Sequence, residues 1–225
     1  MASPHRSYPK KSGFRLGIYV CKDAEIVDFA APHGVFSVAR RFDPELDAFL
    51  VAEALRPVQA QAGFTVLPNY GFADAPDMDA FLIPGGFGLR QEINNGTLHA
   101  FIRALPEKTL LTSVCTGSWI FGRMGLLDGK AATNRKEGDR VETSPGGKVP
   151  IDRLAEIAPK CKISRARVVD AGRIITGGGI CSGMEVGFHL LRRAGYDEKF
   201  ISEVARIMEY KAAYDAYRDD IEYDG

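Results

Sequence analysis

The fold of this chain follows from the ten residues Thr109-Leu-Leu-Thr-Ser-Val-Cys-Thr-Gly-Ser118. The apolar run predicts a buried strand over Thr109 to Val114, and the residues after it predict a helix from Trp119 to about Met124. Small residues lie two positions before and two positions after Cys115. This is the spacing of a nucleophile elbow, in which strand and helix backbones approach closely. A cysteine at a helix start gains thiolate character from the unpaired N–H groups. A small buried cysteine packed at a strand end fits the same residues.

Outward from this stretch, strand patterns and helix patterns alternate along the chain. Alternation of this kind predicts an α/β protein with a doubly wound, mainly parallel sheet and helices on both faces, a flavodoxin-like three-layer sandwich. The segment 56–76 is rich in glycine and proline, and it is predicted to be loop and short strand. The strands are predicted over 14–21, 47–53, 78–83, 109–114, 162–167 and 168–175, and the helices over 28–41, 97–105, 119–124, 177–191 and 196–217.

Length and composition are those of an ordinary globular protein. The 225 residues are 45% hydrophobic and 26% charged, which excludes a disordered or fibrous chain. We expect a single domain over residues 14–217, with a disordered or extended N-terminal tail over 1–13. The acidic, polar stretch 218–225 is expected to be a frayed C-terminal tail.

Charge and cysteine usage narrow the possible partners. Lys+Arg and Asp+Glu both total 29, so no overall positive field attracts nucleic acid or a membrane surface, and neither partner is expected. No apolar run reaches the length of a membrane span, and the N-terminus lacks the apolar core of a secretory signal. Four scattered cysteines without a C-x-x-C pair predict free thiols and no metal site. We therefore expect a cytoplasmic protein.

Three features fall where strands end, which is where ligands bind in such sheets. Asp28 follows the first strand, Pro84-Gly-Gly86 follows a middle strand, and Cys115 follows the next. The backbone N–H groups of Gly86 and Thr116 would form an oxyanion hole. Asp28 is either a helix N-cap or a carboxyl that stays protonated beside the sulfur and donates a proton. Cys181, after Gly177-Gly-Gly179, is a further residue that would approach the site.

Five motifs carry a family resemblance: Asp28-Phe-Ala-Ala-Pro32, Ile83-Pro-Gly-Gly86, Val114-Cys-Thr-Gly-Ser118, Gly125-Leu-Leu-Asp-Gly-Lys-Ala-Ala-Thr133 and Ile175-Thr-Gly-Gly-Gly-Ile-Cys-Ser-Gly183. In order and spacing the chain resembles the ThiJ/PfpI superfamily, with its class I glutamine amidotransferase-like fold, from about Leu16 to Tyr210. Within it, the chain is most similar to the branch of isonitrile hydratases and of the amidase-like domains of AraC-type regulators. The resemblance implies that Cys115 is the nucleophile, Asp28 its acidic partner, and Gly86 and Thr116 the amide donors.

The same resemblance implies an activity. It suggests a lyase that hydrates a small-molecule isonitrile to an N-substituted formamide through covalent cysteine catalysis, without metal or organic cofactor, in a homodimer. Two alternatives stay open: a thiol redox sensor or stress protein without turnover, and a related lyase or hydrolase acting on a specialised metabolite. A DNA-binding regulator is not expected, because only 15 residues follow Tyr210.

The chain departs from the family pattern at two places. Thr116 stands where protease-like members carry histidine, which argues against peptidase activity. Ala132-Thr-Asn-Arg-Lys136 replaces the A-T-T-H-W of the close branch, so Arg135 replaces a histidine near the site. As a hypothesis, Arg135 recruits an anionic substrate, since a guanidinium clamps a carboxylate. The alternative is a solvated loop charge.

Overall fold

The structure is a computed structural model that describes residues 8–138 and 147–224. An eight-stranded sheet lies at its centre, with strands in the spatial order β12-β10-β11-β7-β6-β1-β2-β5. The strands are β1 (Arg15–Tyr19), β2 (Asp47–Ala52), β3 (Val58–Gln59), β4 (Thr65–Val66), β5 (Tyr70–Gly71), β6 (Ala80–Ile83), β7 (Leu110–Ser113), β8 (Ala131–Ala132), β9 (Lys162–Ile163), β10 (Val168–Ala171), β11 (Ile174–Gly177) and β12 (Ile221–Tyr223). The helices are α1 (Ile26–Ala39), α2 (Leu89–Glu92), α3 (Gly96–Ala104), α4 (Ser118–Arg123), α5 (Pro150–Ile157), α6 (Ser182–Arg193), α7 (Glu198–Ile207) and α8 (Lys211–Tyr217).

The predicted fold class is confirmed. All pairings within the central sheet are parallel except β10 with β11, which form an antiparallel hairpin. Helix α1 packs against α6 and α7, while α4 packs against α5. The segment 56–76 is loop and short strand, as its glycines and prolines predict. In the part of the chain that the structure describes, no helix is long and apolar enough to cross a membrane.

The register of the three central strands brings the functional loops together. β1 pairs with β6, so that Ile18 lies beside Leu82, and β6 pairs with β7, so that Ile83 lies beside Ser113. These strands are apolar and almost fully buried, as expected for strands covered on both faces. Because the three strands are parallel, their carboxyl ends meet at one edge of the sheet. Helix α1 with Asp28, the loop with Gly85 and the bend with Cys115 all follow that edge.

The helix predictions missed the short helix α2 and were incomplete in two further places. The predicted helix over 196–217 is two helices, α7 and α8, separated at Glu209, whose φ is +52°. Helix α5 was not predicted, although its signals are present in the sequence. Proline stands at its first position, and the carboxylate of Asp152 accepts a hydrogen bond from the Val149 N–H at 3.0 Å, an arrangement typical of helix starts.

The prediction of a frayed C-terminal tail was wrong. Residues Ile221–Tyr223 form β12, which pairs in parallel with β10 at the edge of the sheet. Glu222 accepts a hydrogen bond from the Ser164 hydroxyl at 2.5 Å, and Asp224 accepts one from the Ala131 N–H at 2.6 Å. A polar sequence is compatible with this position because an edge strand is only partly covered. The predicted N-terminal tail is described only from Tyr8, and residues 1–7 lie outside the described residues.

Removal of residues 221–225 should destabilise the whole protein. The deleted residues contribute the β12 pairing and the hydrogen bonds accepted by Glu222 and Asp224, so we expect a loss of about 2 kcal/mol in the free energy of unfolding and a fall in Tm of about 4–8 °C. The control is Glu222→Gln, which keeps the strand and an acceptor oxygen for Ser164. Thermal unfolding measures both variants. A truncated chain with the Tm of the full chain would show that β12 does not stabilise the sheet.

Candidate active site

Cys115 lies on a sharp bend between strand β7 and helix α4. Its φ is +55°, in the left-handed region that costs a residue other than glycine about 1 kcal/mol or more. Its N–H donates to the Gly178 carbonyl at 2.7 Å, which ties the bend to the loop after β11. At Gly117, an added Cβ would lie 2.2 Å from the Ile83 carbonyl oxygen. The bend therefore touches the backbone of β6 directly, as the flanking small residues predicted.

Asp28 is a buried member of the first turn of α1, and the N-cap interpretation of this residue was wrong. Glu25 is the N-cap, and its carboxylate accepts from the Val27 N–H at 3.4 Å. Asp28 is fully buried. Its Oδ2 accepts from the Gly85 N–H at 2.7 Å, and its carboxyl interacts with the Cys115 thiol. Asp28 and Cys115, which are 87 positions apart in the sequence, are thus brought into contact.

The environment of Asp28 favours the protonated carboxyl. Burial raises its pKa well above the ordinary value, and the negative charge of Glu25 raises it further. The Gly85 hydrogen bond, the Arg135 charge and the Cys115 contact lower it without reversing the shift. Desolvation dominates because a carboxylate that is removed from water loses its hydration free energy. The single hydrogen bond from the Gly85 amide restores less stabilisation than this loss. The direction agrees with the proton-donor hypothesis for Asp28.

The expectation that Cys115 gains thiolate character from the helix start was wrong, and the alternative of a small buried cysteine at a strand end fits the structure. Cys115 is only 4% exposed. Burial raises its pKa, and the charge of Asp28 raises it further. The Arg135 charge and hydrogen bonds from the N–H groups of Thr116 and Ile180 lower the pKa, but less than burial raises it. Desolvation of the sulfur outweighs the effect of the helix start, since α4 is short and follows a single 3₁₀ turn.

A cavity of about 90 Å³ lies over the sulfur. Arg135 is part of its wall, so this residue is not merely a solvated loop charge. The Arg135 side chain lies against Gly179, where an added Cβ would be 2.6 Å from Arg135 Cγ. The Ile180 N–H at the sulfur was not predicted, although the glycines before it indicate a close approach of backbone. The cavity is lined by Glu25, Gln61, Gly86, Phe87, Cys115, Arg135 and Ile180.

The two predicted oxyanion donors both have partners within the protein. The Thr116 N–H hydrogen-bonds to the sulfur of Cys115. The Gly86 N–H donates to the Thr116 hydroxyl at 3.2 Å, a long hydrogen bond that a developing anion would compete for. Their role as oxyanion donors stays a prediction. Cys181 lies outside this cavity, as the exposed N-cap of α6.

Comparisons with known proteins identify the family. Residues 15–193 match the DJ-1/PfpI family model, and the chain belongs to this family. It is 30% identical over 178 residues to an isonitrile hydratase of Pseudomonas putida, which covers 78% of this chain and 70% of that protein. The resemblance to ThiJ/PfpI proteins stated from the sequence is confirmed.

Two further relatives show how widely the family varies. The HTH-type transcriptional regulator GbdR of Pseudomonas aeruginosa is 28% identical over 159 residues, which are 67% of this chain but only 40% of the regulator. The crystal structure of a ThiJ/PfpI family protein from Pseudomonas syringae superposes with a TM-score of 0.72 at 23% identity, over 95% of this chain and 90% of that chain. At this identity the structural likeness shows the fold alone.

Substitution Gly85→Ala should disrupt the site. An added Cβ would lie 2.7 Å from Asp28 Oδ2 and 2.7 Å from both N and Oγ1 of Thr116. We expect a loss of about 1–3 kcal/mol in the free energy of unfolding, measured in urea, from this overpacking. The control is Gly96→Ala, where nothing lies within 4 Å of an added Cβ. Equal stability of the two variants would contradict the close approach described here.

The reactivity of Cys115 should depend on pH like that of a buried thiol. Alkylation by iodoacetamide, followed at the Cys115 peptide by mass spectrometry, should have its midpoint above the ordinary thiol pKa of about 8.5. The Asp28 carboxyl raises the thiol pKa once it is ionised at high pH. Asp28→Asn removes this ionisable group, so the midpoint should move down. Cys161 supplies an internal comparison, because burial raises its pKa to about 11 and no change at Asp28 should affect it. A Cys115 midpoint below pH 7 would contradict the dominance of burial.

Proposed function

We propose that this protein hydrates isonitriles, with Cys115 as the nucleophile and Asp28 as the proton donor. One observation carries the proposal: a thiol and a carboxyl, both buried and favoured in their neutral forms, contact each other, and the thiol residue lines a small cavity. The similarity to the isonitrile hydratase of Pseudomonas putida supports the choice of reaction.

The neutral pair suits the chemistry of an isonitrile carbon. That carbon has a lone pair that accepts a proton, and after protonation it becomes strongly electrophilic. The protonated Asp28 carboxyl donates its proton to the carbon. The sulfur then forms a bond to the same carbon, and the thiol proton passes to the Asp28 carboxylate. The product is a thioformimidate bound to Cys115, which contains every atom of the isonitrile and of the thiol.

Hydrolysis completes the cycle. Water adds to the thioformimidate carbon, and the C–S bond then breaks with return of a proton to the sulfur. The nitrogen receives the other proton, so that the product is an N-substituted formamide and the free thiol is restored. The N–H groups at the sulfur stabilise the leaving thiolate during this step. Asp28, which contacts the thiol, returns the proton.

The size of the cavity also supports a small reacting group. About 90 Å³ holds roughly three water-sized groups, given about 30 Å³ for each. An isonitrile group fits this space. The alternative of a low-pKa redox sensor has less support, because burial and the raised pKa of Cys115 reduce its thiolate fraction.

Turnover of methyl isocyanoacetate to its formamide tests the proposal directly. Cys115→Ala should lose the activity completely, and Asp28→Asn should lower kcat by about 10²–10⁴-fold, the range for removal of a general acid. Cys161→Ala is the matched control and should retain the wild-type rate. Formamide is measured by NMR or mass spectrometry. Product formation that persists in Cys115→Ala would remove the thiol from the mechanism, and no turnover by the wild type would overturn the proposed reaction.

A further inference from the structure

A second, larger cavity opens beside the one over Cys115. Its volume is about 470 Å³, and it shares Arg135 and Ile180 with the smaller cavity. Since the smaller cavity holds only about three water-sized groups, any larger substrate must extend past it. The shared wall makes the larger cavity the adjoining space for the rest of the molecule. We call it the basic cavity; its charged lining residues are Arg135, Lys136, Glu137, Arg165, Arg167 and Asp220.

Lys136 is a partly buried cation in the wall of this cavity. It is half-buried, and its Nζ donates one hydrogen bond, to the Ala166 carbonyl at 2.8 Å. An ammonium group has three donors. Within residues 8–138 and 147–224, no carboxylate forms an ion pair with Lys136 or with Arg165. Among the described residues, both cations therefore have hydrogen-bond donors left for a ligand.

Some of the other charged residues that line the basic cavity already interact with protein groups. Arg167 pairs with Glu185 at 2.9 Å and lies over the Tyr217 ring at 4.1 Å. Asp220 accepts from the Arg167 N–H at 3.1 Å, and Glu137 is an exposed carboxylate at the rim. Burial lowers the pKa of Lys136; Asp220 raises it, and Arg167 and Arg165 lower it. An anion in the cavity would offset both the burial and the repulsion among these cations.

We infer that the basic cavity binds a carboxylate on the substrate, and that the preferred substrates are isonitriles carrying such a group. Lys136 and Arg165 form charge-assisted hydrogen bonds with the carboxylate, while the isonitrile carbon reaches the sulfur of Cys115 past Arg135. The inference rests on the proposed function for the identity of the reacting group. The affinity of the cavity for anions is independent of it.

Cys181 makes that affinity measurable without turnover, because it is exposed and lines the same cavity. Iodoacetate and iodoacetamide both alkylate a thiolate with release of iodide. Iodoacetate carries a negative carboxylate where iodoacetamide carries a neutral amide. We define the Cys181 ratio as the alkylation rate with iodoacetate divided by the rate with iodoacetamide, both measured at the Cys181 peptide. The thiolate fraction affects both rates equally and cancels in this ratio. We expect a ratio about fivefold higher than at the small neutral thiol N-acetylcysteine amide, falling with added salt.

Matched variants assign the effect to residues. Lys136→Met and Arg165→Gln should each bring the Cys181 ratio down by about threefold, whereas Lys136→Arg, which keeps the charge, should retain most of it. The control Lys199→Met removes an exposed positive charge outside both cavities and should leave the ratio unchanged. A wild-type ratio equal to that of the small thiol, or equal effects of Lys136→Met and Lys199→Met, would overturn the inference.

Turnover of an anionic and a neutral isonitrile tests whether the basic cavity affects the proposed reaction. Isocyanoacetate and methyl isocyanoacetate differ in one negative charge, and we expect kcat/KM to be higher for the anion by about tenfold. Lys136→Met should reduce this preference mainly through KM for the anion. Turnover without any preference for the anion would refute the substrate class while the proposed function stands. A raised Cys181 ratio without turnover of either compound would refute the proposed function while the anion site stands.

Discussion

The hydrogen bond from the Gly85 N–H to Asp28 Oδ2 is the constraint on which the site depends. It joins the first turn of α1 to the loop after β6, and it leaves the carboxyl in contact with the thiol on the bend after β7. There is no space for a side chain at Gly85, since a Cβ would collide with Asp28 and Thr116. The geometry of the reacting pair is therefore set by backbone, which is stiffer than a side-chain contact.

Burial then determines the charge state of the pair. Two ionisable groups removed from water at close range cannot both be charged without a large cost. Burial raises the pKa of both Asp28 and Cys115, which favours the protonated form of both. A neutral resting site is suited to a substrate whose reacting group is itself uncharged, and it needs a proton transfer before the sulfur becomes a nucleophile. In the proposed function, Asp28 makes that transfer.

The sequence predicted the parts of the site that local backbone requirements determine. Small residues around Cys115 and the glycines after β6 are needed for close approach, so the bend and its neighbouring loop could be found from residue types. The burial of the sulfur could not, because it depends on how loops from α1 and α6 cover the bend. The position of the Arg135 side chain and the strand pairing of Ile221–Tyr223 also depend on tertiary contacts. Local sequence propensity does not predict such contacts.

Arg135 separates two environments with opposite electrostatic character. On one side, the cavity over Cys115 is lined by a thiol whose neutral form is favoured by burial, and its small volume limits what can reach the sulfur. On the other side, Lys136 and Arg165 keep positive charge in a cavity five times larger, with the guanidinium of Arg135 shared by both. A charged group loses hydration in the first space, and in the second it meets Lys136 and Arg165, which form no ion pair with a carboxylate among the described residues. This gradient would orient a substrate with an uncharged reactive end and an anionic tail, and a neutral substrate would lack that orientation.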